Sequence, residues 1–363
     1  MITDSMRSNT LPLIKKLAEA HGAPGSEGSV RKIARDEMKR PVQTDRMGNL
    51  FCEKPGMCDS PRIMVTAHMD EVGLVVQSIT RGGLLRFTAV GGWWTHTLLA
   101  QRVRILTRTG TEILGIIGAK PPHFLNESER EKVMKLDDMF IDVGATGRDE
   151  VMTDLGIELG DPIVPFSPFA VLSNPDLFVC KAFDDRAGMA LMIQATQALE
   201  QLDHPNTVTA VGTVQEEVGV RGAQTAAFVA KPDAAIVLEG TPADDLPTIP
   251  EEEQQAVLGR GVQIRLMDPS AIMNRKLVDL AVRLAADAHI SHQLAVRKSG
   301  STDARAIHLH GPGIPTLVLG VPARYIHTHN SIINIHDYYS ALDLTLRLLS
   351  AMDRRTVAQF TVF

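Results

Sequence analysis

Arg62-Ile-Met-Val-Thr-Ala-His68-Met-Asp70 is the stretch on which the fold turns. Its apolar run is short and includes β-branched residues, which predicts a buried strand rather than a helix. The run ends in His68 and Asp70, side chains that bind metals or move protons, at a point where chain leaves a sheet. Residues i and i+2 of an extended segment share a face, so Asp70 is placed to accept the ring N–H of His68 and fix its tautomer.

Upstream, Leu11, Ile14, Leu17 and Ala18 recur at helical spacing. A Gly/Pro break at His21-Gly-Ala-Pro-Gly25 follows, and Ser26, Ser29 and Val30 open a second helix to about Lys39. Met47-Gly-Asn49 predicts a turn between short strands. Downstream of Asp70 the texture changes, and from Val72 to about Val164 short strand-like runs (73–79, 84–90, 102–106, 113–117) are punctuated by glycine. They predict a small all-β module, with the charged stretch 126–138 as a partly helical loop. From Ala182 onward helices at 187–202, 222–230, 274–289 and 337–352 alternate with strands at 207–214, 234–238 and 316–319. The expected organisation is an α/β catalytic domain over 1–71 and 165–363, with a mixed sheet and helices on both faces. A β-rich insertion over 72–164 interrupts it.

Composition narrows the function classes. A length of 363 residues suits two domains, or one with an insertion. Thirty-seven Lys and Arg against 43 Asp and Glu leave a net charge of −6. That gives no basic footprint for nucleic acid and no cationic amphipathic arm for a membrane. Cys52, Cys58 and Cys180 form no CxxC pair, which argues against a disulfide framework and a thiolate zinc site. No secretory apolar core begins near Met1, and the longest uncharged run, 306–323, is broken by Pro312, Pro315 and Pro322. A reducing, cytoplasmic location is expected.

GxSxG, P-loop, GxGxxG and HExxH signatures are all absent. What remains is a set of acids and histidines placed after predicted strands: His68 with Asp70, Asp184 with Asp185, Glu216 with Glu217, Glu239, and His327 with His329. Each alone has a plain structural explanation. An isolated acid there caps a helix in solvent, which suits Asp185, and a lone histidine is more often packing than a ligand. Their coincidence carries the signal. Two histidines and three carboxylates, without thiolates, suit two divalent ions of zinc, cobalt or manganese in an open catalytic site. A carboxylate such as Asp184 can bridge ions about 3.5–4 Å apart. Adjacent side chains of an extended segment point apart, so one of Glu216 and Glu217 can bind metal while the other serves water as general base. The triplet Glu251-Glu252-Glu253 is read as a solvated loop.

Ala67-His-Met-Asp-Glu-Val-Gly73, Ala182-Phe-Asp-Asp-Arg186, Glu216-Glu-Val-Gly219 and Arg324-Tyr-Ile-His-Thr328 resemble the motifs of the tetrahedral (TET) metallo-aminopeptidases. That family includes glutamyl and deblocking aminopeptidases and FrvX-like proteins long described as cellulase M. The resemblance runs nearly end to end and includes landmarks of the insertion at 86–92, 135–144 and 160–162. It implies that His68, Asp184 and Glu239 hold one ion, and that Asp184, Glu217 and His327 hold the other. It further implies Glu216 as general base, Asp70 as the support of His68, and dimers formed through the insertion that assemble into a hollow dodecamer. Position 239 is Glu where well-studied members carry Asp, a substitution that resembles the FrvX-like branch. The extra methylene moves the oxygen by roughly one carbon–carbon bond in a shell that tolerates about ±0.2 Å. Either the backbone compensates or the first ion is held less well.

The expected activity is therefore metal-dependent removal of N-terminal residues from short peptides by a homo-oligomer. A glycosidase is the rival enzyme, but Glu216 and Glu217 diverge, and the only tryptophans, Trp93 and Trp94, sit side by side in the insertion. A diverged non-enzymatic scaffold rests on Glu239 alone. Among secondary candidates, Asp303 is either a neighbour of the site or a turn cap, and Arg324 and Tyr325 either line the pocket or pack. His329 and His336 stay outside the metal shell, and His123 is placed to approach a neighbouring subunit.

Overall fold

In a computed structural model that describes residues 2–362, the deciding stretch is the strand Arg62–His68, buried from Ile63 onward. It lies inside a twelve-stranded mixed sheet. Thr207–Thr213 pairs with it in parallel on one side and Ala234–Pro242 on the other, and the latter pairs in parallel with Thr316–Arg324. Strands buried on both faces read as near-continuous apolar runs, as these do. Antiparallel strands complete the edges: Leu50–Lys54 beyond Thr207–Thr213, and Ser331–Asn334 followed by Leu177–Cys180 beyond Thr316–Arg324. Val262–Asp268 branches off Thr316–Arg324 and carries His292–Val296 in parallel.

The helix Phe183–Ala198 is apolar nearly all round because it is enclosed nearly all round. Strands Arg62–His68 and Ala234–Pro242 lie against it, as do helices Asp4–Glu19, Gly28–Met38 and Ile335–Ala351. Arg221–Ala230 and Ala304–Ile307 pack on one another and on strands Thr207–Thr213 and Thr316–Arg324.

The insertion is a closed antiparallel barrel of Gly73–Ile79, Leu85–Val90, Met139–Asp142, Glu112–Ala119, Arg102–Leu106 and Pro162–Pro165. Alternation builds it: Val103 and Ile105 enter a core shared with Leu74, Phe87 and Ile141, while Arg102 stays outside. The charged stretch at 126–138 holds one short helix, Glu127–Arg130. Where barrel and sheet meet, Glu71 accepts hydrogen bonds from Lys181 at 2.6 Å and from Arg186 at 3.2 Å, all three side chains buried. Arg104 of the barrel donates to the Glu19 carbonyl.

Two strands run further than the sequence predicts, to Pro242 and Arg324 instead of ending at 238 and 319. Gly240 and Gly320 lie in these extensions, and each marks a close approach. A Cβ on Gly320 would lie 2.6 Å from Thr241 Cγ2, and one on Gly240 2.6 Å from the Phe183 carbonyl oxygen. Glu239 therefore stands inside a strand, not after one. Val262–Asp268 and His292–Val296 carry no prediction above; both belong to the sheet.

Candidate metal centre

The parallel register sets the first group of side chains. His68 closes its strand opposite Thr213, and Glu239 lies two residues beyond Val237, the partner of Thr66. Between them comes Asp184. Ala182 is left-handed, and Asp184 and Asp185 have non-helical backbone, so the chain makes an elbow before the helix proper begins. Gly240 leaves room for that elbow, which passes within contact distance of its absent side chain. His68 Nε2 stands 3.0 Å from Asp184 Oδ1 and 3.2 Å from Glu239 Oε1.

The second group forms on the far side of Asp184. His327 Nε2 lies 3.3 Å from Asp184 Oδ2 and 3.3 Å from Glu217 Oε2. Tyr325 and His327 are both left-handed, and this double reversal after the strand Thr316–Arg324 swings the imidazole back over the sheet end. Its Nδ1 meets the carbonyl of Gly92, a barrel residue, at 2.9 Å. Glu216 Oε2 is 4.0 Å from His68 Nε2, so the two adjacent acids serve opposite sides.

The surroundings differ in detail from those expected. The Asp70 backbone carbonyl faces His68 Nδ1 at 3.1 Å, while the Asp70 carboxylate is 3.6 Å away. That carboxylate accepts the N–H groups of Glu216 and Glu217 at 3.0 and 3.1 Å and so anchors the acidic pair. Asp185 is not the solvated cap expected. It is wholly buried, and it takes the Gly188 N–H through one oxygen and the His68 N–H through the other. Nor is Asp303 a turn cap: it is buried 2.5 Å from the Thr213 hydroxyl, and burial lifts its carboxyl to about 6.

Arg324 is engaged by Asp245 at 2.6 Å and Tyr325 is exposed, so neither lines the cavity. Ile326 does, with Arg265, Arg297 and Arg305. Sequence reading missed these arginines; the alternation of Val262-Gln-Ile-Arg265 was their one local signal. His329 packs against Trp93 with ring centroids 5.6 Å apart, and His336 pairs with Asp176; His123 is exposed.

The electrostatics favour positive charge. Burial alone would lower both histidines, yet bonds from Asp184, Asp70 and Glu239 raise His68 well above its ordinary value. The charge of Glu217 and the bond to Asp184 take His327 up to about 11. Burial raises Glu216, Glu217 and Glu239, the last to about 8. Burial acts on Asp184 too, but hydrogen bonds from His327 and His68 hold it below its ordinary range.

A divalent ion suits this donor set on two counts. His68, Asp184 and Glu239 offer ligand atoms within 4.8 Å of one another, and so do Asp184, Glu217 and His327. Glu217 Oε1 and Glu239 Oε2 are also buried without a hydrogen-bond partner, an expense that coordination removes. Glu216 faces His68 while Glu217 faces His327, so the adjacent acids do not form the facing carboxyl pair that a glycosidase uses.

An α/β domain with such a histidine–carboxylate cluster, joined to a small barrel, defines a metallo-hydrolase. The model of the M42 glutamyl aminopeptidase family matches residues 48–344, and the chain belongs to that family. It is an aminopeptidase, and peptidases of this family are metal-dependent. The glutamyl aminopeptidase of Lactococcus lactis is 33% identical over 95% of this chain and 97% of its own length. The lysyl aminopeptidase of Pyrococcus furiosus is 32% identical over 94% and 96%. Among solved structures, a TET aminopeptidase from a marine sediment thaumarchaeon superposes with TM-score 0.94 at 41% identity, covering 98% of this chain and 99% of that one. The TET1 peptidase of Pyrococcus horikoshii, which can assemble into a tetrahedron or a large octahedral shell, gives 0.84 at 31% identity, covering 94% and 100%.

Proposed function

We propose that the protein is a two-metal aminopeptidase that removes N-terminal residues from short peptides, with Glu216 as general base. The observation that carries this reading is the pair of ligand groups sharing Asp184, with Glu216 beside the first. His68, Asp184 and Glu239 hold one ion, and Asp184, Glu217 and His327 the other; zinc or cobalt suits these ligands best, and manganese also fits. Divalent ions held there supply Lewis acidity toward the peptide carbonyl and make water a better nucleophile at neutral pH.

The chain's own part is positioning and proton transfer. Glu216 accepts a proton from the attacking water and delivers it to the departing amine as the C–N bond breaks. Burial raises its carboxyl above the ordinary range, and its carboxylate lies 4.0 Å from His68 Nε2, beside the first ligand group. Asp70 serves as a positioning residue by holding the 216–217 backbone and the His68 ring. The barrel contributes dimer contacts, and dimers build a hollow homo-dodecamer; the Pyrococcus horikoshii relative, which can assemble into a tetrahedron or a large octahedral shell, supports a large homo-oligomer.

Glu216→Gln tests the base. The expected result is two bound ions per subunit by elemental analysis with kcat lowered by about 100- to 10,000-fold. A metal-replete variant that keeps the full rate overturns the assignment.

A further inference from the structure

The cavity beside the metal centre measures about 380 Å³, and its wall carries three arginines. Two of them are already engaged. Arg265 is buried 3.2 Å from Asp268 Oδ2 and donates to the Thr241 hydroxyl at 3.0 Å. Arg297 pairs with Asp244 at 2.7 Å and donates to the Pro242 carbonyl. Arg305 differs: among the described residues its guanidinium has no hydrogen bond or ion pair, and it projects from the short helix Ala304–Ile307. Four acids also line the cavity, Asp184, Glu216, Glu217 and Glu239; three of them belong to the two ligand groups and Glu216 stands beside the first, so two divalent ions would neutralise their charge. Arg305 then remains as the uncompensated charge of the cavity.

Its position adds a second argument. Arg305, Gly219 and Val220 also line an adjoining hollow of about 430 Å³ bounded by Gln224, Leu309 and His310. Arg305 thus stands on the ridge between the chamber where the scissile bond would lie and the next hollow. A guanidinium left unpaired in such a place is a fork for a carboxylate, which it can grip through two parallel N–H groups.

We propose that Arg305 is a specificity residue that binds a substrate carboxylate at the edge of the catalytic cavity. The inference rests on the aminopeptidase reading above. Two substrate carboxylates can reach that ridge: the side chain of an acidic N-terminal residue, or the C-terminal carboxylate of a very short peptide. Family membership does not choose between them, since both glutamyl and lysyl aminopeptidases are relatives of this chain.

The test measures kcat/KM of the metal-loaded protein on two matched pairs: Glu-Ala-Ala-amide against Gln-Ala-Ala-amide, and Ala-Ala with a free against an amidated C-terminus. Wild type is expected to favour the carboxylate member of one pair by about 10- to 100-fold, and Arg305→Gln to remove that preference. The pair that responds names the source of the carboxylate. Arg305→Glu should go further and favour a cationic group at the same position. Because the side chain is exposed, both variants should keep the wild-type melting temperature. An active enzyme whose two ratios are the same in wild type and Arg305→Gln overturns this proposal alone. A metal-loaded wild type that cleaves none of the four peptides overturns the peptidase reading and this proposal with it.

Discussion

His68 and His327 face Asp184 from opposite sides, but the chain reaches them by different means. His68 ends a central strand; its side chain is 2% exposed, and its backbone and ring are tied to Asp185 and Asp70. His327 sits on a reversed loop, 33% exposed, and is aimed by a carbonyl that belongs to the barrel. One half of the centre is a by-product of sheet register. The other half exists only while two separate cores, that of the sheet and that of the barrel, stay docked.

The largest effect should come from the atom pair common to both halves. Asp184→Asn is expected to lose both ions and to lower kcat/KM by on the order of 1,000-fold or more, since bridging carboxylates organise two-metal sites. One ion retained per subunit, found by elemental analysis, would show that the halves do not depend on a shared ligand. The next contrast separates them. His68→Ala should remove the first ion and, by opening a buried cavity, cost about 2–4 kcal/mol in urea unfolding. His327→Ala should remove the second ion and cost under about 1 kcal/mol, because its surroundings are open to solvent.

A smaller effect should follow from the barrel side. A Cβ on Gly92 would lie 3.3 Å from His327 Nδ1, so Gly92→Val should weaken the second ion about 10-fold or more and leave the first unchanged. Equal weakening of both in a metal titration would deny the barrel its selective role.

The smallest effect concerns acid. Burial, and then the charge of Lys181, lowers the buried His21 to about 3. The unfolded chain takes up a proton below about pH 6.5 while the folded one does not. This contribution is present above pH 6.5 and is lost as pH falls toward 3, by roughly 2 kcal/mol between pH 6.5 and 5. Melting temperatures across that range should fall for wild type and flatten for His21→Gln. Trp93, whose ring donates to the Gly73 carbonyl, makes the junction visible by fluorescence, and its signal should change before the helical signal does.

The same contrast explains what the sequence disclosed. The strand at 62–68, the alternating runs of the insertion and the cluster of His68, Asp184, Glu216, Glu217, Glu239 and His327 were all legible, because period and residue type are local properties. The continuation of two strands through Gly240 and Gly320 was not. There glycine answers a crowded neighbour, and crowding is invisible until the neighbour is placed. The burial of Asp185 and Asp303 escaped for a related reason, since an acid after a strand looks the same in sequence whether it meets water or a distant backbone N–H. The arginine wall draws on a strand, the residue after a second strand and a short helix, and no short pattern records that convergence.

The carbonyl of Gly92 has a consequence for anyone wishing to make this enzyme smaller. Replacing the barrel with a linker would leave the sheet, its helices and most of the acidic cluster in place, yet it would remove the acceptor that aims His327. Excision is therefore a poor route to a minimal catalyst. The same link constrains natural variation: a change that tilts the barrel against the sheet also turns an imidazole, so the barrel's seating and the aim of His327 cannot vary independently.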